Sequence, residues 1–136
     1  MQGSPNFDDV IAEIRAEDPR FDRGAYYFVR QGLDFTIRQL KEKKAKRDDN
    51  HVSGQELLKG MRDFALEQYG PMTLTLLNHW GITCCEDFGA IVFQLVDRQV
   101  LGKTERDKPE DFTEGYDFDE AFAQPFRPRH RRYQHN

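Results

Sequence analysis

Apolar residues recur at intervals of three and four along the chain, and this spacing predicts about five amphipathic helices. The clearest pattern lies in residues 53–102, which hold three helices in close succession. The first starts at Ser53, because Ser53-Gly54-Gln55-Glu56 has the form of a capping box, and Val52 and Leu57 stand at the positions of a hydrophobic staple. Its predicted inward face consists of Leu57, Met61, Phe64 and Ala65.

Two further helices follow without a long loop. Gly70 and Pro71 end the first helix and begin the next, which is predicted over residues 71–80. After Gly81, Thr83-Cys84-Cys85-Glu86 offers a second capping box for a helix over residues 84–100, which we expect at the centre of the core. Together these two helices have the proportions of a helix-turn-helix. The inward stripe of the last helix is predicted to be Cys84, Phe88, Ile91, Val92, Leu95, Val96 and Gln99.

Two more helices precede this region. Asn6 can cap a short helix that runs to about Ala16, and Asp22 can cap a long one. The long helix ends in residues 41–47, where five cations and one Glu meet the negative end of the helix dipole. The predicted inward residues are Phe7, Val10, Ile11 and Ile14 in the short helix, and Ala25, Phe28, Val29, Gly32, Leu33, Thr36, Ile37 and Leu40 in the long one.

The pattern weakens after Gly102 and leaves two alternatives open. Residues 100–104 could pair with residues 116–118 as a β-hairpin, which would be the wing of a winged helix. Residues 117–122 could instead form a final helical turn that buries Phe118 and Phe122. The predicted fold is therefore mainly α, a compact bundle of about five helices with a helix-turn-helix-like unit. It forms one domain over residues 1–123, followed by a basic tail over residues 124–136.

Charge divides the chain unevenly. Residues 1–120 hold 16 Lys and Arg against 24 Asp and Glu, a balance of −8, whereas the last sixteen residues hold four Arg and no acid. No apolar run approaches the roughly 20 residues of a membrane span, and the N-terminus lacks the pattern of a signal peptide. These features predict a cytoplasmic protein. Cys84 and Cys85 are adjacent and cannot easily pair with each other, so reduced thiols are expected.

Six blocks of sequence, read together, resemble the uncharacterised Minf-type small-protein family of planctomycetes and verrucomicrobia. The resemblance extends over roughly residues 18–126 and implies a bacterial cytosolic protein with one compact domain. It implies no activity, cofactor or catalytic residue. The blocks are Asp63-Phe64-Ala65, Tyr69-Gly70-Pro71-Met72, His79-Trp80-Gly81-Ile82, Glu86-Asp87-Phe88-Gly89, Leu101-Gly102-Lys103-Thr104 and Gly115-Tyr116-Asp117-Phe118-Asp119-Glu120-Ala121-Phe122.

The residues that could carry catalysis have simpler structural interpretations. His79 and His51 could act as acid, base or ligand, but neither has a second His at metal-ligand spacing. A thiol at the start of a helix can have a lowered pKa, yet Glu86 and Asp87 oppose that shift. The acidic residues 117–120 lack the spacing of a calcium loop. We therefore predict that the protein is not an enzyme and needs neither a metal nor another cofactor.

Binding is the predicted activity. The exposed face of the helix over residues 84–100 carries three acids, so sequence-specific DNA recognition is not expected. The basic tail combines arginines with an aromatic ring, which favours contact with RNA, for example on the ribosome. The alternative is a protein adaptor that docks through the aromatic residues of its acidic segment. The RNA-binding residues are predicted to be Arg127, Arg129, Arg131, Arg132, Tyr133, Lys43, Lys44, Lys46 and Arg47, and the docking residues Phe112, Tyr116 and Phe118.

Overall fold

Five α-helices and four short helical turns make up the structure, a computed structural model that describes residues 6–43, 52–101, 109–113 and 115–128. The mainly α-helical class predicted from the sequence is confirmed. The helices are α1 (Phe7–Glu17), α2 (Arg23–Lys43), α3 (Gly54–Tyr69), α4 (Thr73–His79) and α5 (Cys85–Asp97). The turns are Gly70–Met72, Pro109–Phe112 and Gln124–Phe126, which are 3₁₀-helical, and Asp119–Ala123, which is π-helical.

Three helix starts agree with the sequence. The Asn6 side chain accepts a hydrogen bond from the Asp9 amide at 3.2 Å, and the Asp22 carboxylate accepts one from the Gly24 amide at 2.8 Å. At α3 the capping box is complete. The Ser53 hydroxyl accepts from the Glu56 amide at 3.1 Å, while the Glu56 carboxylate accepts from the Ser53 amide at 3.0 Å. These bonds satisfy backbone donors that the helix itself leaves without partners.

The start of α5 differs from the prediction by one residue. Cys84 is the N-cap, and the Asp87 carboxylate, not that of Glu86, reaches back to the Thr83 amide at 2.9 Å. This register turns Cys85 inward, where it is 3% exposed, and leaves Cys84 half-buried. The second predicted capping box and the inward position of Cys84 were therefore wrong.

Aromatic rings fill the centre of the bundle around Phe28 of α2. Its ring lies 5.6 to 6.2 Å from those of Phe64, Tyr69, Trp80 and Phe88, centroid to centroid, so one side chain joins α2, α3, the α4–α5 turn and α5. The predicted inward residues of α5 that complete this core, Phe88, Ile91 and Leu95, are fully buried. Burial of such rings and aliphatic chains is the main source of stability in a domain of this size.

The two longest helices, α2 and α3, approach closely at a small residue. A methyl group built on Gly60 of α3 would lie only 2.7 Å from Cβ of Thr36 in α2, so the two backbones meet where α3 has no side chain. The buried Thr36 hydroxyl donates to the Gly32 carbonyl at 2.7 Å, which satisfies it within its own helix. This contact lies on the side of α2 that faces the core.

The segment after α5 contains no strand among its described residues, and the predicted winged-helix hairpin is not seen. The alternative, a helical turn, is confirmed. Phe118 and Phe122 are 6% and 0% exposed, and their rings meet edge to face at 5.1 Å. The Tyr116 hydroxyl donates to the Leu58 carbonyl at 2.7 Å, which holds the segment against α3. The spacing of the aromatic residues is compatible with a strand and with a helical turn. The helical turn is formed because it buries these rings against the apolar surface of the helices.

Candidate functional site

The solvent side of α2 carries a row of exposed charged residues. Because its inner stripe is buried against the core, the opposite positions face solvent, and exposed charged residues recur there at intervals of seven, four, four and three. Such intervals keep the residues on one side of a helix. We call this surface the α2 basic face; it consists of Arg23, Arg30, Asp34, Arg38 and Lys41.

Most cations of the α2 basic face have no ion-pair partner in the part of the chain that the structure describes. Among the described residues, Arg23, Arg38 and Lys41 have no partner in a hydrogen bond or an ion pair. Asp34 lies within the face, and a second exposed acid, Glu42, borders it directly after Lys41. Cations elsewhere differ. Arg98 contacts Glu13 at 3.1 Å and Glu17 at 2.8 Å, and Arg127 contacts Asp119 at 2.7 Å. At about 1.5 Å per residue, Arg23 and Lys41 are about 27 Å apart along the helix axis.

An aromatic pair holds one cation of this face in place. The guanidinium carbon of Arg30 lies 4.5 Å from the centroid of the Phe7 ring, within the range of a cation–π interaction. The Tyr27 ring packs edge to face on Phe7 at 5.2 Å, with 69° between the planes. Phe7 lies on α1 and both rings are half-buried, so the contact between α1 and α2 sets the position of Arg30.

The residues predicted to bind RNA lie mainly outside the described ranges. Lys43 is the last residue of α2, two positions after Lys41, whereas Lys44, Lys46 and Arg47 are not described. Arg127 is exposed, but Asp119 pairs with it. The prediction still stands for the remaining tail residues, which are also outside the described part: Arg129, Arg131, Arg132 and Tyr133.

The three residues predicted to dock a protein are packed against the body. Phe112 is 4% exposed, its ring 6.2 Å from that of Phe93, and Phe118 packs on Phe88 at 5.6 Å. Burial raises the pKa of Tyr116, and its hydroxyl is already bonded to Leu58. A partner could use these rings only if the segment left the core, and this structure does not present them as a docking surface.

The thiols and His79 do not form a reactive constellation. Burial raises the pKa of Cys85, and its sulfur lies 3.4 Å from the Tyr116 amide nitrogen, which donates to it. Burial also raises the pKa of Cys84. An activated nucleophilic thiol would instead have a lowered pKa. His79 is exposed at the end of α4, and His51 lies outside the described residues.

The acids and amides singled out in the sequence have structural partners. The Asp117 carboxylate accepts from the Glu120 amide at 3.1 Å and so caps the last turn, while Asp119 pairs with Arg127. On α5, Gln94 accepts from the Tyr26 hydroxyl at 2.7 Å and Arg98 binds the acids of α1. The two α5 side chains best suited to base edges are thus engaged inside the protein.

The described ranges contain neither a candidate metal cluster nor a helix suited to crossing a membrane. No group of three or more His, Cys, Asp or Glu is arranged there to hold a metal ion. None of the helices there combines the length and the apolar character required to cross a bilayer.

Sequence reasoning missed the α2 basic face, although a signal for it was present. The inward stripe of α2 was predicted from its period, and the same period places the remaining residues outward.

No family model matches the chain, and no curated protein or solved structure matches it. The resemblance to the Minf-type family therefore stays a prediction.

Proposed function

We propose that the protein is a non-enzymatic RNA-binding protein whose described contact surface is the α2 basic face. The observation that carries the proposal is the line of four cations on one side of a rigid helix, three of them without a partner among the described residues. An exposed cation that is not paired within the protein can bind a phosphate without first breaking an internal ion pair. The basic residues predicted to bind RNA near this face, Lys43, Lys44, Lys46 and Arg47, follow it in the sequence.

The negative net charge of −4 does not oppose this assignment, because phosphate contacts respond to local charge. Salt reduces interactions between exposed charges beyond a Debye length of about 8 Å at physiological ionic strength, so distant acids have little effect. Three phosphate contacts on single-stranded RNA, from Arg23, Arg38 and Lys41, predict that log K falls with log salt concentration with a slope of about −2. Asp34 should weaken binding, since it repels phosphate from within the face.

A matched pair of lysines tests the surface. Lys41 and Lys59 are both exposed helical lysines, but Lys41 lies on the α2 basic face and Lys59 pairs with Asp63 on α3. Fluorescence anisotropy with a labelled single-stranded RNA should show weaker binding for Lys41→Gln, with the salt slope reduced by about 0.7. Lys59→Gln should bind as the wild type does, and Asp34→Asn should bind more tightly.

Equal effects of Lys41→Gln and Lys59→Gln would contradict the assignment of this surface, and no binding by the wild type would contradict RNA binding altogether. The tail can be tested separately by truncation after Pro128, which leaves the Arg127–Asp119 pair in place. If the RNA is ribosomal, the truncated chain should sediment less with ribosomes. Unchanged sedimentation would leave α2 as the sole proposed contact.

A further inference from the structure

Arg30, Phe7 and Tyr27 form a stacking platform, and we propose that it binds an unpaired nucleobase of single-stranded nucleic acid. The inference rests on the proposed function and identifies the form of nucleic acid that the α2 basic face accepts. The Arg30 guanidinium lies over the Phe7 ring at 4.5 Å, and Tyr27 supports that ring edge-on at 5.2 Å. Arg30 is exposed to solvent.

A guanidinium group in this position offers a flat cationic surface to a base. Arginine planes and aromatic rings are the groups on which proteins stack unpaired bases. An exposed arginine normally loses side-chain freedom when it binds, whereas contact with Phe7 already restricts Arg30. A base stacked on Arg30 would extend the arrangement to three layers, with the cation between two π systems.

The neighbouring cations give the strand a path along α2. Arg23 lies about 10 Å before Arg30 along the helix axis, and Arg38 lies about 12 Å after it. Phosphates on both sides of a stacked nucleotide can therefore be bound by the same helix face. In a duplex the faces of each base are covered by adjacent base pairs, so a duplex could use the cations but not the platform. The face should consequently prefer single strands.

Stacking does not read the 2′-hydroxyl, so the platform alone should accept RNA and DNA single strands alike. Binding of an RNA oligonucleotide can be compared with binding of a DNA oligonucleotide of the same sequence to test this expectation. Similar affinity for both would be expected if the platform and the phosphate contacts dominate. A large preference for DNA would overturn the assignment of RNA as the ligand.

The decisive variant is Arg30→Lys, because it keeps the charge and removes the plane. We expect the full-length variant to bind single-stranded RNA about three- to fivefold more weakly, as loss of an exposed cation–π contact would predict. Its affinity for the duplex of the same sequence and its salt slope should stay unchanged. Arg38→Lys is the control, since a phosphate contact needs charge but not a stacking surface. Phe7→Leu, which removes the supporting ring, should reproduce part of the loss.

A second readout reports on stacking directly. With 2-aminopurine in the single strand, wild-type protein should quench its fluorescence at saturation, and Arg30→Lys should quench it less. Equal losses of affinity for Arg30→Lys and Arg38→Lys, or equal binding of duplex and single strand by the wild type, would overturn the platform while leaving RNA binding intact. No binding of any oligonucleotide by the wild type would overturn both proposals.

Discussion

Gly60→Ala should destabilise the protein, although glycine is normally the poorer residue within a helix. At an exposed position within a helix, replacing Gly with Ala stabilises the helix by about 1 kcal/mol. At Gly60, however, the added methyl would lie 2.7 Å from Cβ of Thr36 and 2.9 Å from its Cγ2, and closer still to its hydroxyl oxygen. Thr36 is branched at Cβ and 3% exposed, so it cannot swing away as the end of a long side chain could.

The balance of effects can be estimated. Overpacking of a core costs about 1–3 kcal/mol, and displacement of the Thr36 hydroxyl from the Gly32 carbonyl costs about 1 kcal/mol more. With the helix propensity gain subtracted, the free energy of unfolding should fall by about 1–3 kcal/mol. Chemical denaturation followed by circular dichroism should show a lower midpoint with an unchanged slope.

The double variant Thr36→Gly/Gly60→Ala is the control, because it moves the side-chain bulk from α2 to α3. In a double-mutant cycle, Thr36→Gly should recover much of the stability lost by Gly60→Ala. If Gly60→Ala alone were as stable as the wild type, α2 and α3 would not meet at this point. The outward direction of the α2 basic face would then lose its structural support.

Two further predictions concern the core and its buried hydroxyl groups. Leu95→Ala should lower the free energy of unfolding by about 2–5 kcal/mol, since Leu95 is fully buried in α5; a loss near zero in chemical denaturation would mean that α5 is misplaced. Burial, assisted by Asp18, raises the pKa of Tyr26 to about 12, above its ordinary value of 10.0. Because the unfolded chain loses this proton near pH 10 while the folded chain retains it, stability should fall by about 1.4 kcal/mol per pH unit between about pH 10 and 12. Tyr26→Phe should make the decline in stability with alkaline pH less steep, and an unchanged decline would argue against a buried Tyr26.

Local sequence was sufficient for most helices and for most of their inward residues, although Gln99, predicted to face inward, is exposed beyond the end of α5. The bonds at Asn6, Asp22 and Ser53 join residues only two or three positions apart, so neighbouring residues specify them. The inward faces follow from helical period, which is a property of the backbone. Val10 and Ile11 in α1 and Phe28 and Val29 in α2 are accordingly buried where the pattern predicted.

The start of α5 depended on contacts that the local sequence does not contain. Thr83 and Cys84 are adjacent, and either could precede the first turn. The segment that packs over Cys85 distinguishes the two. The Cys85 sulfur contacts Gly115 and accepts a hydrogen bond from the amide of Tyr116, which is thirty-one positions later in the chain. The aromatic segment was ambiguous for the same reason, since its spacing suits a strand as well as a helical turn until Phe88 and Leu58 are brought beside it.

The α2 basic face combines both kinds of information. Helical period alone places Arg23, Arg38 and Lys41 on the outer side of α2. Whether a cation remains unpaired depends on the acids that other helices bring near it, as Arg98 shows by meeting Glu13 and Glu17 more than eighty positions away. A helix can specify its own faces because its bonds are local, but charge neutralisation depends on packing between helices.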